Sequence, residues 1–463
     1  MTDFPVGSIV AFCGSYRARQ DQLTQLGWRL CNGDAVAQSD EASLRPVLQQ
    51  AYGAGADGTI HLPDLRGLFL RGLDVQGDVD QDVARRVAPR PDLPYSGSSG
   101  AAVGSFQAWG VGPHSHWYID TGTYAGGDSG DDHSAMVVTG DEQATNSGND
   151  IGAETRPINT YVYYLIKAQA HAAPAYSAGT VVCSMGAPPS DGSWTTANGL
   201  SCPSEGDLAD VLDGAYCPGL LPDYRGTFLR GVDYQRGLDP GSTSRTPSVP
   251  GANPQEAGSM QTSAVGPHTH SYFHSSTHCR LDEACCGNAL IEDCCATCSA
   301  TKPELDQGGP FAAEARPRNV AVNFQISVYD SNINAPVAIP VGSIIAYAGE
   351  LHTLPQDTAW QVCDGQDGRP DLRGYFLRGL DDGKGLDPDG PHRVAGDVQE
   401  DALVAHAHSL AIWQASPVVY ANQPLAEQTF LTAAPTITPT KDNTGAADTR
   451  PVNKAVHFLI KQS

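Results

Sequence analysis

The chain of 463 residues carries 28 basic and 52 acidic side chains, a formal charge of −24. Such an excess repels nucleic acid and anionic membranes, so neither is expected as a partner. No apolar run approaches the roughly 20 residues that a bilayer span requires, and the first unit starts so near Met1 that no signal peptide is expected.

Short apolar stretches alternate with Gly, Pro, Asn and Asp, which predicts short strands and long loops rather than helical bundles. The first stretch is Pro5-Val6-Gly7-Ser8-Ile9-Val10-Ala11. Trp28 and an Asn32-Gly33 turn follow. One helix is predicted where Ser39, Asp40 and Glu41 supply capping and acidic residues, Leu44, Val47 and Leu48 follow at helical spacing, and Gly53 stops the run. The stretch from Leu62 to Asp74 then reads Leu-Pro-Asp-Leu-Arg-Gly-Leu-Phe-Leu-Arg-Gly-Leu-Asp. Its Asp and Arg are expected to tie a tight turn through charge-assisted hydrogen bonds, with Phe69 in the core. A Gly-Pro-His-Ser-His segment (His114, His116) comes next, and the unit closes on Arg156-Pro157-Ile158-Asn159 and an apolar strand.

The same order recurs twice. The second unit opens at Ala178, has Trp194 before Asn198-Gly199 and a shorter helix predicted over 205–215. It then has Leu221 to Asp233 around Phe228, the pair His268 and His270, and Arg316-Pro317-Arg318-Asn319. The third opens at Pro340 and has Trp360, Asp364-Gly365, Arg369 to Asp381 around Phe376, the pair His406 and His408, and Arg450-Pro451-Val452-Asn453. Only a short segment separates Trp360 from Arg369, so no helix is expected there. Each unit has domain size rather than solenoid size. The expected organisation is a first repeat at 1–168, a linker at 169–177, a second repeat at 178–330, a linker at 331–339 and a minimal third repeat at 340–463. The fold class is α+β, mainly β.

On a strand, residues i and i+2 point to one face, so each His-x-His aims two imidazoles one way. One pair supplies too few ligands for a stable site and reads equally well as polar decoration of a turn. Three pairs at equivalent places give six imidazoles: His114, His116, His268, His270, His406 and His408. An octahedral nitrogen set suits iron, with nickel or zinc as alternatives, and leaves no open position for catalysis. His61, His133, His171, His274, His278, His352, His392 and His457 do not repeat in register and read as surface or packing residues; His274 and His278 could also join a metal near the cysteines.

Of the 12 cysteines, Cys279, Cys285, Cys286, Cys294, Cys295 and Cys298 crowd into an insert at 279–298 of the second repeat. Disulfides are expected there, with a zinc cluster as the rival reading, and the connectivity stays open. Cys202 could pair with Cys217, and Cys13 with Cys31; Cys183 and Cys363 have no evident partner. This usage suits an oxidising final environment. Aromatic residues after the histidines, Trp117, Tyr118 and Tyr124 in the first repeat and Tyr272 and Phe273 in the second, are candidates for receptor contact; packing within the tip is the competing reading.

Together these motifs resemble the phage tail collar family of tail fibres and receptor-binding tips. The residues that carry the resemblance are the Val-Gly-Ser-Ile-Val-Ala opening, Gly27-Trp28-Arg29-Leu30-Cys31-Asn32-Gly33, and Tyr52-Gly53-Ala54-Gly55 leading to His61-Leu62-Pro63-Asp64-Leu65-Arg66-Gly67. The His-x-His and Glu154-Thr155-Arg156-Pro157-Ile158-Asn159 complete it. The first repeat matches best and the second diverges most. The resemblance implies a non-enzymatic fibre or tip component of a phage or a phage-like contractile particle, assembled in a cytoplasm. Its implied partners are other tail, baseplate or fibre proteins and a cell-surface receptor, with a glycan as one candidate. Family members are typically homotrimers whose histidine pairs enclose an axial ion. Here three repeats lie on one chain, so either the chain folds into an intrachain pseudo-trimer with one six-histidine site, the favoured expectation, or three chains assemble into a homotrimer. The alternative functions are a glycan-degrading tailspike enzyme and a bacterial surface fibre or adhesin outside any particle.

Overall fold

The computed structural model describes residues 3–111 (81 excepted), most of 155–265, most of 315–404 and 449–462, and a few short strands in between. The fold is mainly β, with three α-helices among the described residues. Fifteen strands join in one hydrogen-bonded network.

Its centre is a closed set of three opening strands, Ser8–Phe12, Thr180–Ser184 and Ser343–Tyr347. Each pairs antiparallel with both of the others, in registers such as Ala11↔Val181, Cys183↔Ile344 and Ser8↔Tyr347. These strands are apolar on both faces because both faces are covered. Each also pairs antiparallel with the closing strand of its own repeat: Asn159–Lys167, Asn319–Ser327 or Asn453–Lys461.

The closing strands then cross to a neighbour. Asn159–Lys167 runs parallel to Phe228–Gly231 of the second repeat, Asn319–Ser327 to Phe376–Gly379 of the third, and Asn453–Lys461 to Phe69–Gly72 of the first. The register is the same each time: Asn159↔Phe228, Asn319↔Phe376 and Asn453↔Phe69. Each repeat thus completes the sheet of the next, in one sense of rotation.

At the far end, the linkers cover the tryptophans. Trp28 Nε1 donates to Ala175 O (2.8 Å) and Trp194 Nε1 to Ala338 O (3.1 Å). Phe4 lies 5.4 Å from Trp28, 5.7 Å from Tyr176 and 5.8 Å from Trp360 between ring centroids, and Tyr176 lies 5.5 Å from Trp194. Tyr176 also bridges to Ser331, so the two linkers pair with each other over the aromatic plug. Rings packed edge-on or offset in this way add to their area burial.

The helices depart from expectation in detail. The helix Gln38–Leu48 starts at Ala37, which makes no side-chain cap, and Ser39 lies inside it rather than at its cap. Leu44, Val47 and Leu48 are its buried face, as the spacing requires. A second helix, Tyr16–Gln25, was not expected. It buries only Leu23, so it carries no apolar period, and its signal is the Ser15 cap alone. In the second repeat Leu208–Leu212 forms a short helix that buries Leu208, Val211 and Leu212. The third repeat has only the single turns Leu351–Thr353 and Gln366–Gly368 among its described residues.

One glycine in each repeat admits no side chain. A Cβ on Gly72, Gly231 or Gly379 would lie 1.9, 2.1 or 2.0 Å from the carbonyl oxygen of Leu372, Leu65 or Tyr224 in the neighbouring repeat. The Gly231→Ala variant should therefore lose more than about 3 kcal/mol of unfolding free energy by overpacking between backbones. Thermal or denaturant unfolding measures this, and a loss below about 0.5 kcal/mol would contradict the packing.

Candidate functional site

The three Phe-Leu-Arg-Gly strands meet at the centre. Phe69, Phe228 and Phe376 form one cluster, each 1% exposed. Over each ring sits an arginine of the next repeat: Arg71 on Phe376 (5.2 Å to the centroid), Arg230 on Phe69 (5.2 Å) and Arg378 on Phe228 (5.3 Å). The same guanidiniums donate across the seams, Arg71 Nε to Gly374 O (2.7 Å), Arg230 Nε to Gly67 O (2.9 Å) and Arg378 Nε to Gly226 O (3.0 Å). All three arginines are fully buried.

A buried guanidinium requires a counter-charge. Asp80, Asp239 and Asp387 supply it, at 3.2, 3.4 and 3.4 Å from Arg71, Arg230 and Arg378. Each aspartate also pairs with a second arginine: Arg86 (2.9 Å), Arg245 (3.1 Å) or Arg393 (2.7 Å). Each further accepts from Gln107, Gln261 or Gln399. Burial alone would raise the carboxyls of Asp239 and Asp387. The flanking guanidiniums outweigh it and hold both below the usual carboxylate range. Burial also pushes Arg245 down to about 10. These charges are committed to one another, so the network suits a structural lock rather than acid–base chemistry.

The turn arginines behave as expected. Arg66, Arg225 and Arg373 make two-pronged contacts with Asp64, Asp223 and Asp371, two residues earlier. The second arginine of the motif and the Asp–Arg pairs around it were not singled out in sequence. A signal existed: Asp80 and Arg86, Asp239 and Arg245, and Asp387 and Arg393 recur at one spacing in all three repeats.

Of the six expected metal ligands, His114, His116, His268 and His406 lie outside the described residues, and of His270 and His408 only the backbone is described. Those two stand in short strands that reach other repeats. His270–Ser271 pairs with Lys441–Asp442 of the third repeat, and His408–Ser409 with Thr145–Asn146 of the first. Ser299–Ala300 of the second repeat pairs with Asp120–Thr121 of the first. Among the described residues no cluster of His, Cys, Asp or Glu could hold a metal ion.

Cys13 and Cys31 are buried free thiols, which corrects the expected pairing. They directly follow the strands Ser8–Phe12 and Trp28–Leu30, which flank Asn159–Lys167 on opposite sides. Two inter-strand spacings, roughly 9.5 Å, exceed the Cα separation a disulfide spans. Cys13 instead donates to Gly179 O at 3.2 Å. Cys202 is a free thiol too. Cys217, Cys279, Cys285, Cys286, Cys294, Cys295 and Cys298 lie outside the described residues, as do Trp117, Tyr118, Tyr272 and Phe273; Tyr124 is described only as a backbone strand pairing with Ser134.

A family model described as Phage Tail Collar Domain matches residues 7–70, which run from the opening strand to the first Phe-Leu-Arg-Gly strand. The chain carries a phage tail collar domain. The match ends on Phe69 and Leu70, so its last residues reach the axis. Protein RhiB of Rhizobium leguminosarum bv. viciae is 34% identical over 145 residues, 30% of this chain and 64% of that protein. The chain therefore spans somewhat less than two thirds of the length of this curated relative. No solved structure matches the chain. No helix among the described residues is long and apolar enough to cross a membrane.

Two substitutions test the lock and its surroundings. Asp239→Asn leaves two buried guanidiniums without their carboxylate and should cost about 3–5 kcal/mol, read by denaturant unfolding. Lys454 occupies a place held by Thr160 and Val320 in the other repeats, 1% exposed with its ammonium 5.7 Å from the Tyr52 ring. Burial, reinforced by Arg236, lowers its pKa to about 7. Between pH 7 and the unfolded value near 10.4 the unfolded chain binds the extra proton, so stability rises with pH across that window. Lys454→Met should flatten this rise and add on the order of 3 kcal/mol at pH 7; an unchanged pH slope would refute the assignment.

Proposed function

We propose that this protein is a non-enzymatic component of a phage or phage-like tail, folded as an intrachain pseudo-trimer of three collar-like domains. The single observation that carries the reading is the cyclic exchange of strands and arginines. The closing-strand pairing and the arginine-to-carbonyl bond between one repeat and the next are made in the same sense at all three seams, at equivalent residues. The domains are 1–168, 178–330 and 340–463, and the linkers serve as the plug over the tryptophans.

His114, His116, His268, His270, His406 and His408 would hold one divalent ion, iron by preference. The donor set fits it. Six neutral imidazoles favour octahedral coordination, and the His270 and His408 strands each pair with the next repeat in the order 2 to 3 and 3 to 1. A bound ion would tie the three segments together and leave no position for substrate. The loops at 117–153, 271–313 and 409–446 lie beyond the histidines in sequence and are the proposed receptor-binding surface, since binding residues concentrate on loops held by a rigid scaffold. The partners would be other tail or fibre proteins and a cell-surface receptor. A glycan-cleaving activity needs two carboxylates in separate roles, and the buried axial aspartates are each bound by guanidiniums.

Elemental analysis of the purified protein should find close to one iron, nickel or zinc ion per chain. The His270→Ala and His408→Ala variants should each lose it. Acidification through the imidazole range, about pH 6.5, should release it from the parent protein. Metal absent at stoichiometric level from protein made in metal-replete medium would sink the axial-ion proposal.

A further inference from the structure

The three seams between repeats follow one plan but are filled differently. At the first–second seam, Tyr16 opens the helix Tyr16–Gln25 and its ring lies 5.9 Å from that of Tyr163. The Tyr163 hydroxyl donates to Glu256 of the second repeat. Two aromatic rings and a carboxylate thus close that seam.

At the second–third seam the corresponding residues are small. Asn323 stands where Tyr163 does, four residues after Asn319 as Tyr163 is after Asn159. Val394 stands where Glu256 does, two residues before Gly396 and Gly258, whose backbone N–H groups donate to Ala321 O and Tyr161 O. The helix is missing too: Gly186, Ala187 and Pro188 form an irregular loop in its place. What remains is a cleft of about 410 Å³. Tyr224 and Phe324 contribute to its apolar wall, the rim includes Val394, which is 64% exposed, and Asn323 and Gln325 pin the loop by donating to Gly186 O.

We propose that this cleft is a docking site for a tyrosine-type aromatic side chain presented by a partner protein. The chain supplies its own template, because the equivalent space at the first seam holds just such a ring. The apolar wall accepts the ring face, and Asn198 and Asn323 at the edge offer partners for a phenolic hydroxyl. The proposal stands on the equivalence of the seams and is independent of the metal ion.

N-acetyl-L-tyrosinamide is the probe, titrated into the full chain with amide chemical shifts or saturation transfer as the readout. Binding in the millimolar range is expected for a single ring, with shifts confined to residues around Asn323 and Val394. The paired substitution Asn323→Tyr and Val394→Glu rebuilds the first seam at the second and should weaken binding at least tenfold. Ala395→Leu, which narrows the mouth, should do the same if the paired variant does not fold. No binding to the parent protein, undiminished binding to a folded cleft variant, or preference for methyl glucoside over the tyrosine probe would each overturn the proposal.

Discussion

A guanidinium stacked on a neighbour's phenyl ring and bonded to that neighbour's backbone is the contact on which the rest depends. Arg71, Arg230 and Arg378 each make it, and each is fully buried. A charge so placed is costly unless paired, which explains Asp80, Asp239 and Asp387 beside them and the second arginine and glutamine that complete each group. The geometry also requires two backbones to approach until no Cβ fits, hence Gly72, Gly231 and Gly379. No repeat satisfies this arrangement alone. Its arginine needs the preceding repeat's ring and carbonyl, and its closing strand needs the next repeat's Phe-Leu-Arg-Gly strand.

Carrying all three copies on one chain frees them to differ. Arg236 of the second repeat reaches Asp64 of the first, and Lys384 of the third reaches Asp223 of the second. The matching position in the first repeat is Gly77. Lys454 replaces a threonine and a valine, and Tyr161, under Arg245, replaces two alanines. Only the first seam carries the tyrosine pair. Identical chains could not place a residue at one seam and withhold it from the others.

Much of this was legible from repetition. The threefold recurrence of the opening, the Trp, the Phe-Leu-Arg-Gly stretch and the closing Arg-Pro-x-Asn identified the core strands, and the Asp64–Arg66 type of turn and the buried Phe residues followed from residue chemistry. The helix Tyr16–Gln25 was hidden because a helix that buries one leucine has no apolar period. The Cys13–Cys31 pairing failed because nearness in sequence says nothing about the strand that comes between them from 150 residues away. The inter-repeat role of Arg71, Arg230 and Arg378 was hidden for a related reason: a charge in an apolar strand marks a buried partner, but the partner lies on another repeat, and local pattern does not reveal which.

The central claim is that one chain closes the threefold by itself, and its mass in solution tests this most directly. Native mass spectrometry at low micromolar concentration should give a single species at the mass of one chain, 48.7 kDa. A species of three times that mass that does not dissociate without unfolding would contradict the account, because it would mean that the arginine–phenyl cycle closes between chains.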